Sequence, residues 1–527
     1  MNKKLSGTYF TPIKIVNFAY NYLRQQNKDF STVLEPCIGD GRFVDQLNRS
    51  ARRVVGVEID SAKIAELKNK NYEESVHIIH QDFLIYSKMC NERFSLIIGN
   101  PPYINKKNIR NEQLELCRTI CKELLLPESI MKNMWVAFVL SSINLLEENG
   151  TLLFVLPTEF LQVQYAEKLR NYLEEKFNTI HIITFEEKMF PDIEQDACLV
   201  YLTNERDAPS FISYLTYYKL DSQTYNYKSK IERNKPLKKW SNAILTDDEI
   251  DILSIASSKY AKMGEIVESA PGIVTASNEY FILTKEEVSK YDCRDFVLPI
   301  ISKSSMIKNK FEINGYAVNE LANNAKKTYL LNLANTEKNN LPESLLDYLE
   351  KVAVIKRSNI EIQHSFKCSR RKPWYAVPIV RSGGVVFFKR YDVIPRLSIN
   401  PAHIHTTDIA YNLRLPKHIS PESLVFSFYN SLTLAQCEFA GRFYAGGVSE
   451  LTPSEFKSLA IPYTEIDHND TCELRKMLNN NARLDVITSF VNKRTLANDF
   501  EEHEVQQIER IHKKLIARRK RTPPPAP

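Results

Sequence analysis

The stretch TVLEPCIGDGRFVDQL, residues 32–47, decides the fold. An apolar, β-branched run comes first, glycines follow at positions 39 and 41, and a helical pattern completes the stretch. Glycines at this place allow the backbone to approach a ligand closely beside the start of a helix. On its own the Gly-Asp-Gly turn is weak evidence, because it lacks the third glycine of the dinucleotide-binding fingerprint.

The first two hundred residues alternate strand-like and helix-like segments. Helical patterns such as AKIAELKNK and MWVAFVLSSINLLEE lie between apolar runs that are rich in β-forming residues. These runs are TVLEP, RVVGVEID, VHIIHQD, FSLIIGN, TLLFVLP, IHIITF and ACLVYLT. The alternation predicts an α/β domain with a largely parallel sheet and helices on both faces.

The remainder of the chain has a different pattern. Residues 204–245 are polar and rich in Tyr and Lys, which predicts a connector. An irregular α+β region follows, and near Cys472 the chain becomes helical and charged up to the basic run Arg510–Arg521. This run is either a solvated helix end or a contact with nucleic acid. We predict three domains, with bounds 1–235, 236–465 and 466–527.

Three consecutive strand ends carry the residues of a nucleoside site. Glu58 closes the strand after the glycine turn, where an acid can accept hydrogen bonds from both ribose hydroxyls. The next strand ends in HQDF, so that Asp82 can accept from an adenine amino group and Phe83 can pack on its face. The pattern predicts an adenosine pocket at a topological switch point of the sheet.

Acidic residues around the glycine turn indicate the rest of the cofactor. Glu35 precedes the turn and Asp40 lies within it, and both carboxylates would repel a diphosphate. Both suit a cofactor with an ammonium and a sulfonium group. The sequence therefore favours S-adenosyl-L-methionine over a nicotinamide dinucleotide.

The fourth strand ends in NPPY, Asn100–Tyr103. Proline has a fixed φ and no amide hydrogen, so the pair ends the strand and places no donor nearby. The side-chain carbonyl of Asn100 and the main-chain carbonyl of Pro101 can accept both hydrogens of an amino group. Such acceptors would draw an amino nitrogen towards tetrahedral geometry and stabilise positive charge that develops on it.

With these motifs in place, the chain resembles the N6-adenine-specific DNA methyltransferases of restriction-modification systems, of the NPPY type and gamma-class motif order. GTYFTPIKIVNFAYNYL, LEPCIGDGRF, VVGVEID, QDF, IIGNPPYI, GTLLFVLPTEFL and EEKMFPDIEQDACLVYL resemble their motifs in order over residues 5–205. The resemblance implies a Rossmann-like S-adenosylmethionine-dependent domain with a seven-stranded, mostly parallel sheet. An α+β target-recognition domain and a C-terminal helical segment would follow it.

The resemblance also implies roles for individual residues. The catalytic set is Asn100, Pro101, Pro102, Tyr103 and Phe190, in which Tyr103 and Phe190 would stack on a base flipped out of the duplex. The cofactor-binding set is Tyr9, Thr11, Glu35, Cys37, Gly39, Gly41, Glu58, Ile59, Asp82, Phe83, Asn100 and Pro102.

The second half of the chain resembles such recognition domains more loosely. KPWYAVPI, FFKRYDVIPRLSIN and GRFYAGGVSELTPSEFKSLAIPY carry this resemblance. The basic and aromatic cluster KCSRRKPWYAV, Lys367–Val377, is a candidate DNA-facing surface, with Trp374 in the core. The DNA-binding candidates are Arg370, Arg371, Lys372, Lys389, Arg390 and Arg442, and Arg381 and Arg396 are further candidates.

Other substrates remain open at this stage. The NPPY motif is compatible with methylation of a cytosine N4 amino group, of RNA or of a protein glutamine. A DNA-binding specificity protein with a defunct cofactor fold is a further alternative, and the intact Glu58, Asp82 and NPPY argue against it. The ordered motifs and the large second half favour double-stranded DNA, with a restriction endonuclease as functional partner and a monomeric enzyme.

Composition bears on the location of the protein. We find no apolar run near the roughly 20 residues of a membrane span, and the N-terminal MNKKLSGTYFTP lacks the apolar core of a secretory signal. The 9 cysteines follow no pairing or zinc-ligand pattern, so we expect reduced thiols and no metal site. The net charge of +6 weakly favours a polyanionic partner. Together these features predict a cytoplasmic protein of a bacterium or archaeon.

Overall fold

The computed structural model describes residues 10–27, 30–48, 50–190, 196–205, 208–307, 311–444 and 446–523. The chain forms two compact units. The first comprises Met1–Asp251, Arg442–Gly447 and Lys513–Pro527, and the second comprises Ile252–Gly441 and Val448–His512. The predicted domain boundaries after residues 235 and 465 stay predictions.

A nine-stranded sheet forms the centre of the first unit. Its strands are β1 Thr32–Glu35, β2 Arg53–Glu58, β3 Val76–His80, β4 Phe94–Gly99, β5 Leu146–Pro157, β6 Thr179–Phe185, β7 Ala197–Thr203, β8 Phe211–Tyr217 and β9 Tyr225–Glu232. Their order in the sheet is β3-β2-β1-β4-β5-β7-β6-β8-β9. Strands β1 to β5 run parallel, whereas β7 is antiparallel to β5 and to β6. The strand order reverses beside β1, so the switch point lies between β1 and β4.

The central strands are buried on both faces. Val33 and Leu34 of β1, and Leu96 and Ile97 of β4, are all 0% exposed. Continuous apolar runs of this kind are typical of parallel strands that helices cover on both sides. Because these strands are parallel, their carboxyl ends meet at one edge of the sheet.

Helices of the first unit follow most of the strands. Asp60 and Asp82 begin two of them, and each side chain accepts a hydrogen bond from the backbone N–H two residues later. The helices are Ile13–Gln25, Arg42–Leu47, Ser61–Lys68, Phe83–Met89, Asn111–Glu123, Met134–Ile143 and Glu167–Lys176. A further helix, Asp247–Ser258, begins in the first unit and continues into the second. The seven predicted strands and the helical patterns between them are confirmed, and so is the α/β class.

The predicted sheet was too small, and the predicted connector over 204–245 was wrong. This segment contains β8 and β9, which extend the sheet from seven strands to nine. β8 pairs with β6 in parallel, and all seven of its residues are buried. β9 lies at the edge of the sheet, and the ammonium of Lys230 lies 3.7 Å from the ring centroid of Phe211. Tyr and Thr favour strands, and lysines protect exposed sheet edges, so polar composition concealed both strands.

The second unit contains two four-stranded sheets. One has the order Glu268–Pro271, Ala410–Arg414, Val385–Phe388 and Arg396–Ile399, and the other has the order Ile282–Leu283, Tyr329–Leu331, Val297–Ile301 and His405–Thr406. Two short strand pairs accompany them, Lys356–Arg357 with Ile360–Glu361 and Arg390–Tyr391 with Ser449–Glu450.

Helices pack around these sheets. They are Met263–Ile266, Asn278–Phe281, Lys285–Lys290, Gly315–Asn323, Glu343–Ala353, Pro421–Phe428, Ser431–Ala440, Pro453–Lys457, His468–Asn479, Leu484–Thr495 and Glu502–Lys520. The predicted C-terminal helices are present, and Leu474 and Val491 lie in one core with Phe387 and Phe456. The last helix continues into the first unit. Among the described helices, none has the length and apolar content needed to cross a bilayer.

Candidate active site

A cleft opens at the carboxyl ends of the parallel strands, where β1, β2 and β4 end. It brings together predicted residues from six separate motifs, namely Thr11, Glu35, Cys37, Gly39, Glu58, Ile59, Asp82, Phe83, Asn100, Pro101, Pro102, Tyr103 and Phe190. The predicted cofactor residue Tyr9 lies outside the described residues. The strand ends therefore converge as the sequence pattern requires.

The glycine turn is held by the acid of the neighbouring strand. Gly39 has a φ of +57°, and its N–H donates to Glu58 Oε2 at 2.9 Å. The other oxygen of Glu58 accepts from the N–H groups of Ile59 and Asp60, at 3.0 and 2.9 Å. Glu58 is 6% exposed and lies at the cleft wall. One carboxylate thus fixes the turn and also lines the cleft, where we predict that it binds a ribose.

Gly41 has a different position from Gly39. Its φ is +84°, it directly precedes the helix Arg42–Leu47, and it is not among the residues that line the cleft. A Cβ at this residue would collide with the Tyr72 hydroxyl and with the side chain of Leu67. Its hydrogen therefore permits close packing against these two side chains, and the predicted cofactor contact of Gly41 stays a prediction.

The end of the cleft at Asp82, where we predict that adenine binds, has polar and apolar walls. Asp82 Oδ1 accepts from the Leu84 N–H at 2.9 Å, and Asp82 Oδ2 accepts from Gln113 Nε2 at 2.7 Å. Phe83 is 2% exposed, and its ring centroid lies 5.0 Å from that of Phe138. A hydrogen-bonding edge beside aromatic surface suits a flat heterocycle that carries an amino group.

Glu35 is the most deeply buried acid of the cleft, at 3% exposure. Burial raises its pKa well above the usual value, and the nearby charge of Asp40 raises it further. Within the described residues, Glu35 Oε2 is buried and has no hydrogen-bond partner. A buried carboxyl oxygen in this state would be stabilised by a cationic ligand group.

The NPPY segment is fixed at both ends. Asn100 Nδ2 donates to Thr11 Oγ1 at 3.2 Å, and the Cys37 thiol donates to the backbone carbonyl of Asn100 at the same distance. Burial raises the pKa of Cys37 well above its usual range, so the thiol stays protonated as this donor. The Tyr103 hydroxyl donates to the Val155 carbonyl of β5 at 3.0 Å, which fixes the ring at the cleft.

Phe190 is far from these strand ends in sequence but lines the same cavity. It is 7% exposed, lines the cleft and belongs to the core cluster that includes Phe185 and Met189. The ring is therefore held by the core while one part faces the cavity. This placement is compatible with the predicted role as a stacking surface.

The charge balance of the cleft favours a cationic cofactor. Four carboxylates and two cations line it, namely Glu35, Asp40, Glu58, Asp82, Arg42 and Lys63. Both cations are already paired, since Arg42 Nε lies 2.8 Å from Asp40 Oδ2 and Lys63 Nζ lies 3.8 Å from Glu58 Oε2. A diphosphate would meet uncompensated acids, whereas the ammonium and sulfonium groups of S-adenosyl-L-methionine fit this donor set.

Sequence reasoning missed several residues of the cleft. Gln113 and Phe138 come from helices that follow the NPPY motif, and Arg42 donates to the Thr11 carbonyl at 2.7 Å. Arg42 directly follows the glycine turn, so the sequence could have indicated that it lies at the cleft. The positions of Gln113 and Phe138 could not be predicted from strand ends, because both side chains reach the cleft from helices.

Three of the predicted DNA-binding residues have partners within the second unit. Arg371 donates to the carbonyls of Val274 and Thr275, both at 2.9 Å, and burial lowers its pKa. Lys389 and Arg390 pair with Glu450 at 3.7 and 3.0 Å. In the protein without DNA, these contacts give the three side chains a structural role.

The other candidates are placed differently. Arg370 and Lys372 are exposed on the surface of the second unit, and the Arg370 guanidinium lies 3.7 Å from the centroid of the Phe366 ring. Arg442 belongs to the first unit. Burial raises the pKa of the nearby Glu159, and the charge of Arg442 offsets part of that rise. Trp374, predicted to lie in the core, is partly buried and packs against Phe281 at the margin of a core cluster.

The end of the basic C-terminal run, Arg518–Arg521, is largely buried in the first unit. Arg518 and Arg519 are 4% and 1% exposed. Arg518 donates to the Ser241 carbonyl at 3.0 Å, and Arg519 donates to the Gly447 carbonyl. Arg521 donates to the Phe185 carbonyl and pairs with Asp196. The two sequence interpretations, a solvated helix end or a nucleic-acid contact, are therefore both wrong for Arg518 and Arg519.

Two family models match the chain. The model described as Eco57I restriction-modification methylase matches residues 39–190, which contain most of the residues that line the cleft. The model described as Type II methyltransferase M.Eco57I, C-terminal domain, matches residues 237–496. The two matched segments do not overlap. The first contains most of the cleft, and the second covers most of the remaining chain.

Individual proteins give the same picture. The Type II methyltransferase M.AccI of Acinetobacter calcoaceticus is 24% identical over 509 residues, which are 90% of this chain and 88% of that protein. M.HincII of Haemophilus influenzae is 30% identical over 211 residues, which are 38% of this chain and 37% of that protein. The Type IIL restriction-modification enzyme MmeI, solved in complex with DNA, matches with a TM-score of 0.59 and 12% identity, over 96% of this chain and 74% of that chain. The likeness to MmeI shows a shared fold.

These matches agree with the geometry of the cleft. S-adenosyl-L-methionine is the cofactor of such a methyltransferase, and the acids at the three strand ends fit its adenosine and its cationic groups. Together with the relatives, the two matches identify the protein as a methyltransferase of the Type II restriction-modification family.

Proposed function

We propose that this methyltransferase transfers a methyl group to the N6 amino group of an adenine that is flipped out of double-stranded DNA at a specific site. One observation carries the proposal: Asn100, Tyr103 and Phe190 line the same cleft as the cofactor acids Glu58 and Asp82. An amino-group acceptor, two aromatic walls and a nucleoside site thus share one cavity.

Asn100 and Pro101 would activate the amino group. The hydrogen bond from Asn100 Nδ2 to Thr11 assigns the amide nitrogen as donor, so the side-chain carbonyl is the end that accepts from substrate. The Pro101 carbonyl would accept the second amino hydrogen. Cofactor bound here supplies an electrophilic sulfonium methyl. No strong base is needed, because the proton leaves after the nitrogen has become cationic, and the two carbonyls stabilise that charge.

Tyr103 and Phe190 would hold the extruded base. Flipping costs a few kcal/mol, and stacking on aromatic side chains returns about 1–3 kcal/mol per base. The Tyr103 hydroxyl is bound to β5 and burial raises its pKa well above the usual range, so it stays neutral and fixed. A ring that is already ordered loses little entropy when the base arrives.

Binding to DNA would involve the second unit. Arg370 and Lys372 are exposed there and can meet phosphates. For Arg371, Lys389 and Arg390, DNA contact would require exchange of their present partners. Since M.AccI and M.HincII are named Type II methyltransferases, we propose a restriction endonuclease as functional partner. A monomer in the cytoplasm of a bacterial or archaeal cell would suffice for this task.

The test is methylation of plasmid DNA with labelled S-adenosyl-L-methionine, followed by base analysis and modification-aware sequencing. We expect N6-methyladenine within one recurring sequence, and no label with the Asn100→Ala variant. Methylated cytosine alone would overturn the adenine assignment. Label in RNA or in a protein glutamine, with none in DNA, would overturn the DNA assignment as well.

A further inference from the structure

Gln113, on the helix Asn111–Glu123, makes the shortest contact of the adenine end of the cleft. Its Nε2 donates to Asp82 Oδ2 at 2.7 Å, and its Oε1 accepts from Arg110 Nε at 3.4 Å. The other oxygen of Asp82 accepts from the Leu84 N–H at 2.9 Å. The carboxylate is therefore held by one donor on each oxygen, and the two donors come from different helices.

This arrangement leaves acceptor capacity on Asp82. The Asp82 side chain is 10% exposed and lines the cleft. A carboxylate oxygen accepts up to two hydrogen bonds, so Oδ2 can keep Gln113 and also accept from an amino group in the cleft. Arg110 Nη2 lies 3.9 Å from Asp82 Oδ2, which is too far for a hydrogen bond. Gln113 is thus the side chain that orients this oxygen.

We propose that Gln113 is a positioning residue for the adenine of the cofactor. It fixes the rotamer of the Asp82 carboxylate so that Oδ2 accepts from the 6-amino group, and it thereby contributes to the selection of adenine over purines without that group. The inference rests on the proposed assignment of Asp82 to the adenine. Gln113 itself touches Asp82 and acts through it.

The helix that carries Gln113 is anchored independently of this contact. Cys117, Ile120 and Cys121 of the same helix are 1%, 4% and 0% exposed. A substitution at the half-buried Gln113 therefore removes the hydrogen bond and leaves the apolar anchor of the helix in place. The neighbouring Glu112 is exposed on the same helix and provides a matched control position.

The experiment measures binding of S-adenosylhomocysteine by isothermal titration calorimetry with the full chain. A second titration uses the analogue in which hydrogen replaces the 6-amino group of the adenine. The variants are Gln113→Ala, Gln113→Leu, which keeps the volume without a donor, and Glu112→Ala as control. Wild type and control should prefer S-adenosylhomocysteine by about tenfold, the effect of losing one hydrogen bond to a carboxylate.

In both Gln113 variants we expect this preference to fall to about threefold or less, because a carboxylate without its orienting donor accepts the amino group less well. Affinity for the analogue should stay within about twofold of wild type, since that ligand does not use Asp82. The preference should fall equally in the Ala and Leu variants, which would exclude an effect of lost volume.

Other results would overturn the inference. If the variants weaken both ligands equally, Gln113 has only a structural role. If they weaken neither, the contact is irrelevant to binding. If wild type itself binds both ligands equally, the proposed assignment of Asp82 fails and the inference with it. Absence of binding to wild type would contradict the proposed function before any variant is compared.

Discussion

Replacing Arg518 by alanine tests whether the basic end of the chain is part of the catalytic unit. The guanidinium is buried beneath the surface of the first unit, where it donates to the Ser241 carbonyl and to the side chain of Asn242. It also lies 4.9 Å from the ring centroid of Phe443. We expect Arg518→Ala to destabilise the protein rather than to weaken a contact with DNA.

The magnitude follows from these partners. A hydrogen bond to a charged group contributes about 1.5–3 kcal/mol, and a desolvated cation–π contact about 2 kcal/mol. Water that enters the truncated site would offset part of the lost stabilisation. A buried guanidinium also carries a desolvation cost, which the alanine variant no longer has. We therefore expect a loss of about 3–4 kcal/mol in the free energy of unfolding, at the upper end for a single substitution.

The assay is urea denaturation followed by circular dichroism, with Lys513→Ala as control. Lys513 lies on the same helix and is exposed, so its removal should leave the midpoint unchanged. DNA binding is measured in parallel over a range of salt concentrations. An unchanged midpoint for Arg518→Ala, together with a salt slope reduced by about one, would mean that Arg518 binds a phosphate and would refute the structural role.

Three further substitutions test the cleft. Asn100→Ala should slow methyl transfer by at least about 100-fold and leave the Kd of the cofactor within about threefold; weaker cofactor binding with an unchanged single-turnover rate would contradict its role. Phe190→Ala should lower the fluorescence rise of a 2-aminopurine target and weaken DNA binding by about tenfold, whereas an unaltered signal would argue against stacking. Because burial raises the pKa of Glu35, its carboxyl takes up a proton at a higher pH than usual, so cofactor affinity should fall as pH decreases through that pKa. Calorimetry in buffers of different ionisation enthalpy should detect proton release on binding, and an equal pH dependence in Glu35→Gln would exclude Glu35 as its source.

The sequence was sufficient to predict which strand ends share the cleft, because this part of the cleft is built from strand termini. Glu35, Glu58 and Gly99 end three neighbouring parallel strands, and parallel strands bring such termini to one edge. Each side chain is thus close to its motif in sequence, and the periodic apolar runs reveal where the motifs end. The positions of these residues follow from topology rather than from any single contact.

Residues that reach the cleft from helices gave no comparable signal. Gln113 lies on the helix after the NPPY motif, and its direction depends on the packing of Cys117 and Ile120. The same limit applies to β8 and β9, whose tyrosines and lysines resemble a linker until the sheet edge is known. Composition indicates only the average environment of a residue type. The places of Gln113, β8 and β9 depend instead on the particular neighbours that each of them packs against.

The compact unit around the cleft is discontinuous in sequence. For this reason the sequence did not reveal the structural role of the basic C-terminal run. Gln162 is 3% exposed, and its amide both donates to the Phe443 carbonyl at 2.6 Å and accepts from the Phe443 N–H at 3.0 Å. Arg519 binds the next turn through the Gly447 carbonyl, and Arg521 pairs with Asp196 at the start of β7. These buried groups would lack partners without segments that lie hundreds of residues away. A run of arginines therefore indicates nucleic acid only where the fold leaves its guanidinium groups exposed, and here backbone carbonyls of the catalytic unit supply the partners that phosphates would otherwise provide.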